Sequence, residues 1–164
     1  MSRIPDGCPK ISLEFQKRLI AYIKDEDCDE NGKICTNSEF AKRAGVNKNV
    51  ISNIVNYGII PSVNSLIKIA DYLNVSLEYL LCKTDSTDFI KSGSAVTFHD
   101  RLLQLKEEND LNYADITNKT SFARNSIHVW IKRKNLPTLD YLFQLADFFN
   151  VSVDYLLGRT DYRD

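Results

Sequence analysis

With 164 residues, 43% of them apolar and 26% charged, the chain is long enough for one medium domain or two small ones and is too evenly mixed for wholesale disorder. No run approaches the roughly 18 apolar residues of a membrane span, and the start, Met1 to Lys10, lacks the apolar core of a signal peptide, so a cytoplasmic protein with no membrane partner is expected. A formal net charge of −1 argues against a broad, non-specific nucleic-acid binder, which would carry a strong positive excess, but leaves room for a small basic face.

Phe15, Leu19 and Tyr22 follow i, i+4, i+7 spacing and predict a first helix with one buried face. An acidic stretch, 25–33, follows. Within it, Asp27-x-Asp29-x-Asn31-Gly32-x-Ile34 matches the first eight positions of a calcium loop of the EF-hand kind. The match fails at position twelve, where Ser38 stands in place of a bidentate glutamate; Glu39 is one residue late and belongs to a capping box with Thr36. A solvated acidic turn is the preferred reading of 27–38.

Thr36-x-x-Glu39 starts a second helix. Gly45-Val46-Asn47 predicts a tight turn in which glycine takes the left-handed conformation and Asn47 caps a third helix. Ser62, after Pro61, caps a fourth that turns Leu66, Ile69, Ala70 and Leu73 inward, and Ser76 opens a short fifth. Ser86 to Val96 is polar, contains Gly93 and has no sustained period, so it reads as a linker. The same order then recurs: Phe98, Leu102 and Leu105 on a helix face, Asn112-x-x-Asp115 as a weaker start, Thr138 after Pro137 with Leu142, Leu145, Ala146 and Phe149, and Ser152 before a last short helix. No segment alternates as a half-buried strand does.

An offset of 76, which carries Pro61 onto Pro137, matches Thr36–Asp85 to Asn112–Asp161 without a gap. Ala70-Asp71-Tyr72-Leu73-Asn74-Val75-Ser76 faces Ala146-Asp147-Phe148-Phe149-Asn150-Val151-Ser152, and both copies run into Thr-Asp. Upstream, Phe15-x-x-Arg18-Leu19 matches Phe98-x-x-Arg101-Leu102 at an offset of 83, so the first copy carries seven extra residues in the acidic stretch. One structural unit is used twice. The expected organisation is all-α: a first domain at 11–85, a linker at 86–96 and a second domain at 97–162.

Cys8, Cys28, Cys35 and Cys82 form no CxxC pair, and His99 and His128 are the only histidines. No metal or other cofactor is expected, and the cysteines read as thiols packed as small hydrophobes. There is no phosphate-cradling glycine loop, GxSxG or HExxH, so no enzyme and no small-molecule ligand is expected.

The segment Phe40-Ala41-Lys42-Arg43-Ala44-Gly45-Val46-Asn47-Lys48-Asn49-Val50-Ile51-Ser52-Asn53-Ile54 has the spacing of two helices crossing steeply through a short turn. It resembles the helix-turn-helix of lambda-repressor/Cro-like (Xre-type) transcriptional regulators, as do Pro61 with Val75 to Leu81, and Pro137 with Val151 to Asp161. The resemblance covers most of the chain in two copies. It implies two tandem five-helix domains of bacterial or phage type that bind double-stranded DNA, the third helix of each entering the major groove and the second crossing the backbone.

Carried over position by position, Asn37 replaces the family's usual glutamine at the start of the second helix, and Lys48, Asn49, Ser52 and Asn53 fall on the exposed face of the third. Asparagine bonds N7 and N6 of adenine, lysine reaches guanine or a phosphate, and serine suits either. Asn56 adds a backbone contact. In the second copy Arg124, Asn125 and His128 take these places, followed by Lys132, Arg133 and Lys134, the densest basic run in the chain. Tyr113, Thr117, Ser121 and Ala123 depart from the pattern in the second copy, and Trp130, aligned with Ile54, is expected in the core. Both a pseudo-dimer on an asymmetric site and a homodimer associating through one repeat fit this sequence. The rival reading is a protein-interaction module, antitoxin-like or anti-repressor, using the same helices.

Overall fold

The computed structural model describes residues 10–25, 31 and 35–164, and among these it is all-helical apart from one isolated antiparallel bridge between Ile11 and Ile59. The chain divides into two compact units, Met1–Thr87 and Asp88–Asp164. Each contains five helices among the described residues. Most of the calcium-like pattern and of the acidic stretch 25–33 lies outside the described residues, as do Cys8 and Cys28.

In the first unit α1 spans Leu13–Asp25, α2 Asn37–Ala44, α3 Lys48–Tyr57, α4 Val63–Leu73 and α5 Leu77–Leu80. Their starts are where short-range polar chemistry puts them. Thr36 and Glu39 form a reciprocal capping box on α2, and Asn47, Ser62 and Ser76 each accept a backbone N–H of the helix they precede. The core is built from the apolar face of every helix: Phe15 and Leu19 of α1, Phe40 and Ala41 of α2, Ile51 and Ile54 of α3, Leu66 and Ile69 of α4, and Leu77 and Leu80 of α5. Cys35 is buried, and burial pushes the half-buried Cys82 thiol above its ordinary pKa.

In the second unit α6 spans Phe98–Glu108, α7 Tyr113–Asn118, α8 Ser126–Arg133, α9 Leu139–Phe149 and α10 Val153–Leu156. Capping boxes Thr97/Asp100 and Asn112/Asp115 open α6 and α7, and Ser152 caps α10. Thr138 occupies the N-cap of α9 but makes no side-chain cap bond. Trp130 is buried, within an aromatic cluster whose ring centroids lie 5.2 Å (Phe122), 6.1 Å (Tyr141) and 6.5 Å (Phe98) from its own. At the offset of 76 its partners Phe122 and Tyr141 stand where the first unit has Val46 and Ser65.

The same latch closes both units. In the first, the Arg18 guanidinium lies 4.2 Å from the centre of the Tyr79 ring and bonds Asp85 at 3.2 Å. In the second, Arg101 lies 4.2 Å from the Tyr155 ring and bonds Asp161 at 2.9 Å. A first-helix arginine is thus stacked on the fifth helix and tied to the Thr-Asp segment beyond it, combining cation–π attraction with an ion pair. Arg101 is the more deeply buried of the two and also bonds Gln104 and the Tyr155 hydroxyl.

The polar segment 86–96 is more ordered than its composition suggests. The Arg159 guanidinium lies 4.7 Å from the Phe89 ring centre, the Ser92 N–H donates to the Arg159 carbonyl at 2.8 Å, and the Ser92 hydroxyl donates to Asp161 at 2.8 Å. From Phe89 onward the segment is therefore part of the second unit, against the expectation of a linker running to Val96. Arg159 is itself ion-paired with Asp154 in the interior of that unit. Near Gly158, at φ +74°, the Val96 carbonyl approaches so closely that a Cβ would lie 2.0 Å from its oxygen.

Candidate nucleic-acid interface

The α2–α3 corner is set by three residues. Gly45 ends α2 in the left-handed region at φ 72°, its N–H and that of Val46 satisfying the last carbonyls of α2, and Asn47 accepts the N–H of Asn49 at 2.9 Å to start α3. Ala41 is nearly fully buried, Ile51 and Ile54 fully so, which fixes α3 against α2 through its apolar side. The remaining circumference of α3 presents Lys48, Asn49, Asn53, Asn56 and Tyr57 to solvent, with Ser52 half-buried between them. Asn37, the first residue of α2, is half-buried. The first unit thus brings the residues named from its sequence onto one rigid, capped helix and the start of the helix before it, and adds Tyr57, which had not been singled out.

The corresponding corner of the second unit is different. At the offset of 76, Arg124 and Asn125 would open a helix as Lys48 and Asn49 do, but α8 begins only at Ser126, and α7 ends at Asn118. Arg124 and Asn125 therefore lie in the connecting loop, which corrects their placement on a third helix; His128 alone of the three is on α8. The cause is local. Ser121 stands where Gly45 supplies a left-handed turn, and Ala123 has no side chain to cap a helix as Asn47 does; Asn125 becomes the N-cap without making a side-chain cap bond. Thr117 and Thr120 donate their hydroxyls back to the carbonyls of Ala114 and Ile116, a pattern that favours helix ends over interiors.

What holds this longer loop is Gln144 of α9. Its carbonyl oxygen accepts the Ser121 N–H at 2.9 Å and its amide donates to the Ser121 hydroxyl at 2.8 Å. Sequence reading passed over Gln144, whose counterpart in the first unit is Lys68; the clue was a Gln–Ser pair in place of a lysine and the missing turn glycine.

On α8 the exposed residues are His128, Lys132 and Arg133, followed by Lys134, which closes the helix at φ 54°. The His128 ring packs edge-on to Tyr113 with centroids 5.2 Å apart, and the Lys106 ammonium sits 5.3 Å from the Tyr113 ring centre. His99 Nε2 lies within hydrogen-bonding distance, 3.2 Å, of the Asn135 carbonyl, joining the segment after α8 to α6. Among the described residues no group of three or more His, Cys, Asp or Glu side chains is placed to hold a metal ion, and no helix is long and apolar enough to cross a membrane.

A family model described as helix-turn-helix matches residues 32–80, the stretch that contains α2 to α5. Residues 32–80 are a helix-turn-helix domain. An uncharacterized HTH-type transcriptional regulator of Bacillus subtilis (strain 168), YobD, is 38% identical to the chain over 64 residues, 39% of this chain and 57% of that protein. The chain thus spans little more than half the length of this relative. No solved structure matches. The helix-turn-helix domain identified in this way contains Asn37, Lys48, Asn49, Ser52, Asn53 and Asn56, all the residues that sequence reading assigned to the first reading face.

Proposed function

We propose that the protein is a transcriptional regulator that binds double-stranded DNA sequence-specifically, laying α3 in the major groove with α2 across the sugar–phosphate backbone. One observation carries this reading. On α3, the exposed residues Lys48, Asn49, Asn53 and Asn56 lie opposite the fully buried Ile51 and Ile54, on a helix capped at both ends. A rigid helix with amides at one edge suits bidentate bonding to adenine, and Lys48 at its N-terminus suits guanine or a phosphate. Apart from Tyr57, the exposed positions of α3 are polar, which favours a nucleic acid over an apolar protein partner. In this proposal the second unit is a tandem copy of the same kind of domain, bringing Arg124, Asn125, His128, Lys132, Arg133 and Lys134 to the DNA, so that one chain acts as a pseudo-dimer.

The test is selection of bound sequences from random double-stranded DNA, followed by affinity measurement on the selected site. Asn49→Ala is expected to weaken binding by about 1–3 kcal/mol and to relax preference at one base pair. Equal binding of that site by wild type and an Asn49→Ala/Asn53→Ala variant would refute the reading.

A further inference from the structure

The two units differ in what their helix-turn-helix stretches offer to DNA. Over the matched stretches 37–60 and 113–136, the first carries three cations (Lys42, Arg43, Lys48) against Glu39, and the second five (Lys119, Arg124, Lys132, Arg133, Lys134) against Asp115, a net +2 against +4. Their distribution differs as well. Along α3 the only cation is Lys48, and its other exposed residues are the three asparagines Asn49, Asn53 and Asn56 and Tyr57. Along α8 no amide is exposed, because the late start of the helix leaves Asn125 in the loop. His128 remains, with its ring packed edge-on to Tyr113.

The cations of the second unit are nonetheless held on a firm base. Lys132, Arg133 and Lys134 begin two residues after the buried Trp130, Lys134 is the C-cap of α8, and Asn135 is joined to His99 of α6. Arg124 lies three residues after Ser121, which Gln144 grips at two points. Phosphate contact requires positive charge at a fixed place and tolerates any base, whereas base readout requires paired donors and acceptors on an element that enters the groove. The first arrangement describes the second unit and the second describes α3.

We infer that the two units divide the work of recognition: α3 of the first unit discriminates bases, while Arg124, Lys132, Arg133 and Lys134 of the second grip phosphates and discriminate bases little. This rests on the DNA-binding reading above. The bound site accordingly has one strictly specified half and one permissive half, and most of its salt dependence comes from the second unit.

The experiment compares wild type with Lys132→Gln/Lys134→Asn, with Arg124→Gln, and with Asn49→Ala/Asn53→Ala, each titrated on the selected site and on a scrambled duplex across a range of salt. All of these side chains are exposed, and asparagine tolerates the left-handed backbone at position 134, so unchanged thermal unfolding is the control. The double lysine variant is expected to weaken binding to both duplexes alike and to make the plot of log affinity against log salt shallower by about 2, near 0.9 per lost phosphate contact. Arg124→Gln is expected to make it shallower by about 1 with the preference ratio unchanged. Asn49→Ala/Asn53→Ala is expected to lower the ratio of selected to scrambled affinity roughly tenfold or more with the slope unchanged. The inference is overturned if either second-unit variant lowers that ratio as the asparagine variant does, or leaves the slope untouched. A wild-type protein that binds neither duplex, or both equally, would instead bring down the DNA-binding reading itself.

Discussion

Replacing Gly158 or Gly45 with alanine puts the same methyl group at two backbones of nearly the same φ, +74° and +72°, so the left-handed strain is shared and only the surroundings differ. That strain costs roughly 1–2 kcal/mol for an L-residue. At Gly45 nothing lies within 4 Å of the new Cβ, and the cost stops there. At Gly158 the Cβ would sit 2.0 Å from the Val96 oxygen and 2.8 Å from its carbonyl carbon, both backbone atoms that cannot rotate away. Relief requires moving the strand of chain that leads into the Thr97/Asp100 capping box of α6, and overpacking of this kind adds about 1–3 kcal/mol more. The total for Gly158→Ala is therefore about 2–5 kcal/mol, a large part of the stability of a small domain. The assay is denaturant unfolding followed by tryptophan fluorescence, because the single tryptophan, Trp130, is buried in the second unit and reports on that unit alone. Gly158→Ala should move the fluorescence transition to much lower denaturant, while Gly45→Ala should leave it in place and shift only the part of the circular dichroism signal contributed by the first unit. A Gly158→Ala transition within about 1 kcal/mol of wild type would show that the close approach of Val96 does not constrain the second unit.

Asp161→Ala should destabilise the second unit by about 1–2 kcal/mol in the same assay, since the mostly buried Arg101, whose Nε already has no partner, loses its carboxylate, and Ser92 loses an acceptor. Asp85→Ala, at a fully exposed carboxylate in the equivalent latch, should leave unfolding by circular dichroism close to wild type; an equal loss at both positions would contradict the difference in burial. Asp100 is held below the usual carboxylate pKa by hydrogen bonds from the Thr97 side chain and backbone, and Glu108 by hydrogen bonds from Gln104 and Arg163. A depressed folded-state pKa gives stability that is present above the unfolded value, about 4, and is lost as the pH falls through the lower one. The second unit should accordingly lose stability on acidification below about pH 4, and an Asp100→Asn/Glu108→Gln variant should show a flatter loss there.

The features that were legible in the sequence are those decided within a few residues. Thr36 with Glu39, Asn47, Ser76 and Ser152 cap the helices they precede, because a capping side chain bonds a backbone N–H two or three positions on and needs no tertiary context. The polar edge of α3 was legible for the same reason: Ile51 and Ile54 fix which side is buried, and helical geometry then fixes the exposed positions. The late start of α8 was legible only as a break in the pattern at Thr117, Ser121 and Ala123, not as a shifted helix start. It is the outcome of Ser121, Ala123 and two threonines acting together, with the loop held by Gln144, 23 residues away from Ser121. The latches were hidden by arithmetic, since Arg18 and Arg101 correspond at one offset and Tyr79, Tyr155, Asp85 and Asp161 at another. The docking of Phe89 and Ser92 onto the second unit was invisible because a polar, aperiodic segment looks alike whether it is solvated or pinned by side chains about 70 residues downstream.

The latch has a consequence for how such a chain changes over time. Arg18 fastens α1 to α5 and the Thr-Asp segment, a tie that does not pass through the connection leading from α1 to α2. Seven residues separate the two copies at that connection, yet Arg18 and Arg101 stand at the same distance from their tyrosines. The α1–α2 connection is thus where the first copy carries seven extra residues while the latch keeps its geometry, and grafting a short reporter peptide there should leave the Arg18–Tyr79 contact in place.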